Sequence, residues 1–579
     1  MQSSALVLLL ALMIARGTGA DETYPYSFLR DAADSPVYEQ YDYIIVGGGT
    51  AGCPLAATLS RYFRVLVLER GPSPYGNANI TRIENFGRSL NDTEGQFTPA
   101  QAFTSTDGVR NTRPRVLGGG SCLNAGFYTR ASPDYVRRVG WDARLVNQSY
   151  PWVERVVAFV PQLGAFQSAF RAGLLETGVT PDNGATFDHI YGTKTGGSIF
   201  DHQGNRHTAA DLLRYASARN ILVLLRASVQ RILFDTSGYQ PRAIGVQYRD
   251  ANSRMHIARL NSNRQSQVIL SAGAMGSPQL LMLNGIGPRA HLESMGIRVL
   301  VNLPGVGQGM ADNPMNTVYL LSPAPVETNL IQVVGITHYG SFIEAGSGEL
   351  DGLSAGVLLE KVIGPRSSGQ MTLTSLDAAD NPQVTFNYFQ DPEDLQSCVE
   401  GINQIEEIIL SSSMRRFRYD AQALPSGGTV ASPVRADSTL RSSVNVTLAS
   451  FCRSTVQTIW HYHGGCQVGR VVDSDYHVLG VDALRVIDGS TFNFSPGTNP
   501  QATVMMLGRY MGLRIIAERF LDSPPRYDRD DPSIARWIPP LVRLADRALE
   551  RPRLFRRAEN AGGGLALLGL RQCQGRMPG

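Results

Sequence analysis

Asp42-Tyr-Ile-Ile-Val-Gly-Gly-Gly-Thr-Ala-Gly52 and, just after it, Arg64-Val-Leu-Val-Leu-Glu69 decide the fold of this chain. An apolar run with β character leads straight into Gly47-x-Gly49-x-x-Gly52. A helical pattern then spans Pro54 to Arg61, and a second apolar run ends in an acid. Each glycine has a physical task. Gly47 permits the tight turn, Gly49 lets the backbone approach a pyrophosphate, and Gly52 lets the helix pack on the strand. The helix N-terminus turns N–H groups and the positive end of its dipole toward the phosphates. Glu69 stands about 20 residues beyond the glycines, where a carboxylate accepts hydrogen bonds from an adenosine ribose. A glycine triplet alone could be an ordinary turn. Strand, glycines, helix, strand and acid in this order imply a dinucleotide site in a Rossmann-like α/β domain.

The 579 residues are enough for roughly two to four domains. Hydrophobic content of 43% and charged content of 18% describe a globular chain with a large core. A net charge of +3 gives no ground for nucleic acid as a partner. Only Lys194 and Lys361 are lysines among the many basic residues, which reads as a bias of composition. Residues 1–20, with the apolar stretch Ala5 to Ala15 before Thr18-Gly19-Ala20, read as a secretory signal peptide, so the protein is expected outside the cell. No later run reaches roughly 18 apolar residues, so no membrane span is expected. Sequons at Asn79, Asn91, Asn147 and Asn445 suit such a surface. Of six cysteines, Cys53, Cys122 and Cys466 lie in glycine-rich motifs and read as buried thiols. Cys398–Cys452 is the expected disulfide, and the absence of any CxxC pair speaks against a zinc ribbon.

Outward from the first motif, a second glycine block, Arg115-Val-Leu-Gly-Gly-Gly-Ser-Cys-Leu-Asn-Ala-Gly-Phe127, permits close backbone contact with a ligand. Ser121 and Asn124 within it read as helix-start and ligand-contact residues. Ile221 to Val229, Gln230 to Asp235 and Gln267 to Ser271 read as buried strands. The last meets Ala272-Gly-Ala-Met-Gly276, after which Ser277 is expected to cap a helix with Pro278 at its first position. Residues 296–454 read differently. Gln383 to Tyr388 alternates like an antiparallel strand, Leu395 to Leu410 is helical, and Ala345 to Asp351 and Pro425 to Ser432 read as loops. The expected organisation is a discontinuous dinucleotide-binding domain (41–130, 205–295 and 455–522), a substrate domain (131–204 and 296–454) and a disordered tail over 523–579.

The strongest chemical signal after the first glycines is Thr458-Ile-Trp-His-Tyr-His463-Gly-Gly-Cys466. In a strand, His461 and His463 would face the same way. With no third ligand in view, no metal is expected. Next, Leu484-Arg-Val-Ile-Asp488-Gly489 ends an apolar strand, and Pro496-Gly-Thr-Asn499-Pro500-Gln501 opens a helix through Met511, with Asn499 as its N-cap and Pro500 in its first turn.

With these stretches in their order, the chain resembles the glucose-methanol-choline (GMC) oxidoreductases over roughly residues 40–522. The segments Trp460 to Gly469 and Ser495 to Gly512 are most like the plant HOTHEAD-like branch, with mandelonitrile lyases as near relatives. The resemblance implies FAD as the dinucleotide, and an α/β fold in which a Rossmann-like FAD-binding domain carries an inserted antiparallel-sheet substrate domain. His461 falls on the family's catalytic histidine and Asn499 on its second catalytic position. Thr50, Ala51, Glu69, Arg70, Val116, Gly120, Asn124, Ala125, Gly126, Phe127, Val229, Trp460, His461, Asp488, Gly489, Pro500 and Gln501, with Gly47, Gly49 and Gly52, fall where the family holds FAD.

The implied reaction is oxidation of an alcohol CH–OH group, the hydride going to the flavin and the hydroxyl proton to His461. Asn499 would hydrogen-bond the substrate oxygen, and His463 would support the site or stay structural. Likeness to the HOTHEAD branch implies long-chain ω-hydroxy fatty acids and extracellular, cutin-type lipid as the setting. Two alternatives are a hydroxynitrile lyase that keeps FAD without redox use, and a secreted flavoprotein without activity. Against the lyase stands Asn499, since an amide is no base.

Overall fold

The computed structural model describes residues 25–522 apart from 36–38, 351, 420–446 and 498. The signal peptide, the sequon at Asn445, the loop Pro425 to Ser432 and the tail over 523–579 lie outside the described residues. The chain divides into two units, Met1–Ile515 and Ile516–Gly579. Of the second, only the helical residues 516–522 are described. The sheets and cavities below all lie in the first.

Tyr43–Val46 and Val65–Leu68 are apolar on both faces, the pattern of strands covered on both sides. They form the centre of a six-stranded parallel sheet in the order Leu29–Asp31, Ile221–Leu225, Val65–Leu68, Tyr43–Val46, Gln267–Leu270, Leu484–Val486. Between the central pair runs the helix Gly52–Leu59, two residues ahead of the expected start. Gly52 is obligatory here because a methyl group on it would collide with the Gly47 carbonyl oxygen. Gly47 itself sits at φ 101°.

Three local expectations fail for reasons of long-range packing. The apolar run Ile221 to Val229 is not one strand. It breaks at Arg226 (φ 55°), after which Ser228–Asp235 joins a separate four-stranded sheet. The helix after Gln267–Leu270 begins at Gly273, so Pro278 lies inside it and Ser277 is not its cap. Asp488 decides that start, because its carboxylate accepts from Gly273 N at 2.9 Å and from Ser277 Oγ at 2.6 Å. Ser121 likewise caps no helix of its own, its oxygen instead meeting the first N–H of the helix Ala209–Tyr215. It lies within the short helix Gly119–Cys122, accepts from Ala209 N at 2.9 Å and donates to Gly118 O at 2.7 Å.

The second large sheet has seven strands, in the order Gln457–Thr458, Pro314–Leu321, Leu353–Val362, Ser341–Leu350, Val333–Ile336, Gly192–Thr195, Asp182–Ala185. All pairings are antiparallel except the last. Ala345 to Leu350, expected as a loop, is therefore strand. Its small residues Gly346, Ser347 and Gly348 pair through the backbone with Val357, Gly356 and Ala355. Conversely, Gln383 to Tyr388 is strand only over Gln383–Val384, since Asn387 turns at φ 58°.

Side chains alternate across this sheet. Val318, Ile343 and Leu358 face the helices Ala165–Glu176 and Pro392–Leu410, packing against Phe166, Phe170, Ile402 and Ile405. Val334, Ile336 and Phe342 face the other way, toward Phe127. Pro392–Leu410 starts three residues ahead of expectation, because Asp391 caps it and Pro392 suits its first turn. The Cys398–Cys452 disulfide, as expected, ties it to Leu448–Ser454.

Two outcomes follow. Gly52→Ala must push the helix off its strand and is expected to cost about 1–3 kcal/mol, read as a fall in Tm. Replacing Cys398 and Cys452 together by Ser opens a link across a separation of 54 residues and is expected to cost about 2–4 kcal/mol in urea unfolding.

Candidate active site

At the C-terminal ends of the parallel strands the loops leave a groove. Gly47, Gly49, Thr50, Ala51, Glu69, Arg70, Val116, Gly120, Val229, Asp488 and Gly489 all line it. Its floor is kept bare by glycine. A methyl group built at Gly49 meets nothing nearer than 3.8 Å, one at Gly489 nothing nearer than 4.0 Å, and one at Gly273 nothing within 4 Å. Glu69 is anchored at the edge, its two carboxylate oxygens accepting from Gly48 N at 2.9 Å and Gly71 N at 2.8 Å. Each oxygen keeps a second lone pair for a diol. Burial raises the Glu69 pKa, and the Gly71 N–H, Arg70 and the Gly48 N–H oppose that rise. A glycine floor ending in an anchored acid fits a dinucleotide. Gly52 lines none of this, since its task is packing.

The groove runs on, through shared walls at Thr50, Arg70, Arg113, Gly273 and Tyr462, into a cavity. Asn124, Ala125, Gly126, Phe127, Trp460, His461, Asn499, Pro500 and Gln501 line it, with Leu90, Leu123, Ile331 and Ile459. Asn124 and Gln501 also brace each other. Asn124 Nδ2 donates to Gln501 Oε1 at 3.0 Å, and Gln501 Nε2 donates to Phe127 O at 2.6 Å. The final helix runs over Gln501–Asp522, starting one residue later than expected and continuing eleven residues past the expected end at Met511. The Pro500 carbonyl takes its first bond, from Val504 N, so the cap position falls on Pro500 and not on Asn499.

His461 is not in a strand. Gln457–Thr458 ends the strand, and Trp460 turns at φ 59°, a costly conformation for a bulky residue. Two bonds hold the turn: Trp460 N donates to Thr458 Oγ1 at 2.9 Å, and His461 N donates to Asp312 Oδ1 at 2.9 Å. Asp312 Oδ2 also accepts from Thr458 Oγ1 at 2.7 Å and Tyr388 OH at 2.6 Å. Burial pushes the Asp312 carboxyl up to about 6 against these bonds.

The turn sends the two histidines apart. His461 lines the cavity, whereas His463 is buried behind it with Nδ1 donating to the His461 carbonyl at 3.1 Å. The His461 imidazole is held well below its ordinary pKa by burial first, then by the charges of Lys361 and His463. Trp460 Nε1 and His461 Nδ1 are buried polar atoms with no hydrogen-bond partner among the described residues, the pattern of a site whose ligand completes the bonding.

Lys361, taken from composition as uninformative, stands at this wall. Its ammonium contacts Glu344 Oε2 at 2.7 Å and Asn499 Oδ1 at 3.2 Å, and lies 4.3 Å from the centre of the Phe342 ring. Lys194, the other lysine, is buried on the same sheet, donating to Thr129 Oγ1 at 2.8 Å and Asp188 O at 2.5 Å. Burial lowers its pKa to about 7. Asp312 and Lys361 carried no local signal, since each meets the histidine segment or Asn499 across more than a hundred residues. Among the described residues no group of acids, histidines and cysteines could hold a metal, and no helix is long and apolar enough to cross a membrane.

The sequence profile of the GMC oxidoreductases matches residues 41–315 with its N-terminal part and 365–508 with its C-terminal part. Protein HOTHEAD of Arabidopsis thaliana is 49% identical over 528 residues, covering 83% of this chain and 88% of that protein. An (R)-mandelonitrile lyase of Prunus serotina is 40% identical over 535 residues, covering 89% and 94%. Among solved structures, a formate oxidase of Aspergillus oryzae superposes with a TM-score of 0.70 at 19% identity, covering 84% of this chain and all of that one. On the profile match and on relatives of this identity and coverage, the chain belongs to the GMC oxidoreductase family, with FAD as its cofactor.

Proposed function

We propose that this protein oxidises the CH–OH group of an apolar alcohol, with His461 as the proton acceptor and Asn499 as the group that holds the substrate oxygen. The observation that carries this is His461 and Asn499 lining one cavity whose other walls include Leu90, Leu123, Ile331 and Ile459. FAD, when bound, supplies the acceptor for the hydride. The groove residues Gly49, Glu69, Val229 and Gly489 would hold its nucleotide portion, and Trp460, Pro500 and Gln501 would meet its ring.

The chain's own work is to hold the alcohol and move one proton. A histidine kept neutral accepts the hydroxyl proton, and the Asn499 amide keeps the oxygen, and so the C–H, in a fixed place. The apolar walls exclude water and suit a long hydrocarbon chain, which supports ω-hydroxy fatty acids of extracellular lipid as the substrate class. The Cys398–Cys452 disulfide suits an oxidising compartment and supports secretion. The division of labour that fits this is FAD on 41–130, 205–295 and 455–522, and substrate on 131–204 and 296–454.

Cleavage of a cyanohydrin is the second reading, favoured by identity to the Prunus lyase. It asks for base chemistry that Asn499 does not offer.

The test is anaerobic addition of a C16 ω-hydroxy fatty acid to the yellow protein. Bleaching of the visible band is expected. His461→Ala should slow it about 100-fold or more, while His463→Asn, which keeps a donor toward the His461 carbonyl, should leave it largely intact. No bleaching with this or other alcohols, with benzaldehyde released from mandelonitrile, would overturn oxidation in favour of the lyase. Because His461 is depressed, it stays neutral as pH falls through the ordinary histidine range. The acid limb of kcat/KM is therefore expected below about pH 6.5, and a limb above that value would contradict a buried neutral base.

A further inference from the structure

We propose that Arg113, together with Arg70, forms a two-guanidinium clamp for the diphosphate bridge of the bound dinucleotide. The clamp rests on the placement of the cofactor's ends given above, nucleoside in the groove and ring in the cavity, and is independent of which alcohol the cavity takes.

The pair is assembled from two parts of the chain. Arg70 directly follows Glu69 at the C-terminal end of Val65–Leu68, a central strand of the parallel sheet. Arg113 lies on the strand Arg110–Pro114, which pairs antiparallel with Ala100–Thr104 and sets Gln101 opposite it. Along that strand Asn111 and Arg113 are the buried positions. Gln101 Oε1 accepts from Arg70 Nη1 at 2.9 Å and from Arg113 Nε at 3.1 Å. One neutral oxygen thus holds two like charges together. The Gln101 amide fits only this way round, since a guanidinium donates and never accepts, and its Nε2 donates to Ala379 O at 2.9 Å.

The other partners are neutral as well. Arg70 Nη2 donates to Pro114 O at 3.0 Å, and Arg113 donates to Gln279 Oε1 at 3.3 Å and to Asp380 O at 3.2 Å. Glu69 acts on Arg70 by its charge, but its oxygens are held by the N–H groups of Gly48 and Gly71. Burial lowers both guanidinium pKa values, that of Arg70 to about 10 and that of Arg113 further, with the charge of Arg70 adding to the effect. Buried charges brought together without a carboxylate are costly, and an anion relieves that cost. A guanidinium carries five N–H donors. Arg70 uses two of them and Arg113 three in these bonds, so each has donors left for a ligand.

Their position names the anion. Both line the wall common to groove and cavity. Glu69 and Val229 line the groove and not the cavity, whereas Trp460 and Gln501 line the cavity and not the groove. A dinucleotide lying along both crosses the common wall with the segment that joins its nucleoside to its flavin, and that segment carries its phosphates. Guanidinium forks suit phosphate oxygens in charge and in shape. Arg115, the next arginine along, is turned away and bonds Thr98 O, Thr98 Oγ1 and Gly95 O.

A strap that ties Gln101, Gln279 and Asp380 together would make the same bonds, so the test must separate phosphate recognition from packing. The FAD-loaded full-length chain is dialysed to equilibrium as wild type, R70M, R113M and the double variant. ADP or adenosine is added as competitor until half of the FAD is displaced. The ratio of the two competitors' affinities reports the phosphates, because a loosened groove weakens ADP and adenosine together.

In the wild type ADP is expected to compete about 100-fold better than adenosine, and R70M and R113M are each expected to lower that advantage about tenfold with adenosine unchanged. An advantage that stays within about twofold of wild type in the variants overturns the proposal, whatever happens to FAD affinity. Where R113M does not fold, R70M decides on the same two outcomes, since the bonds of Arg70 reach only Gln101 and Pro114. If neither ADP nor adenosine displaces FAD from the wild type, the placement of the nucleoside in the groove falls, and the clamp with it. If both displace it and the variants keep the ADP advantage, the clamp alone falls.

Discussion

A single buried carboxylate, that of Asp312, holds the reactive end of this molecule in place. It accepts from Tyr388, from Thr458 and from the backbone of His461. Those bonds span the short strand Gln457–Thr458, which pairs with Pro314–Leu321 just beyond Asp312. They hold Trp460 in a left-handed turn it would not adopt alone. Without that turn His461 and His463 would face the same way. With it, one imidazole reaches the cavity and the other supports it from behind. Burial works against the ionised form of Asp312, and the hydrogen bonds it accepts from Tyr388, Thr458 and the backbone of His461 and Asn313 offset that cost.

The two residues proposed to act on the substrate therefore belong to different parts of the architecture. His461 is placed by a turn at the edge of the antiparallel sheet, and Asn499 by the start of the last helix, whose neighbours Asn124 and Gln501 tie it to the second glycine block. Lys361 reaches across from the sheet to Asn499. The cofactor groove needs less. Glycines clear its floor and Glu69 marks its end, all within the loops of one parallel sheet.

That difference explains what could be read from the chain alone. The Rossmann-like motif, the glycine block and Asp488-Gly489 are local patterns whose physics is complete within a dozen residues, whereas the turn that carries His461 into the cavity is held by Asp312 from 149 residues away. The residues that the family resemblance named, Gly52 apart, line the groove and cavity described above, and the Cys398–Cys452 bridge was legible. The misreadings occur where distant groups decide local form. Asp488 starts a helix at Gly273 that Ser277-Pro278 seemed suited to start later. Gly346 to Gly348 form strand because neighbours on both sides supply the pairing. A lysine scarce enough to be dismissed as composition proved to stand beside the active centre, 138 residues from the asparagine it touches.

The central claim is that a C–H bond of an alcohol breaks in this cavity while His461 takes the hydroxyl proton. The most direct measurement is the anaerobic rate of flavin bleaching by a C16 ω-hydroxy fatty acid carrying either hydrogen or deuterium on its hydroxyl-bearing carbon. A clear slowing by deuterium, in the wild type, is the result this account predicts. A flavin that no alcohol bleaches, in a protein that nevertheless cleaves a cyanohydrin, would contradict it.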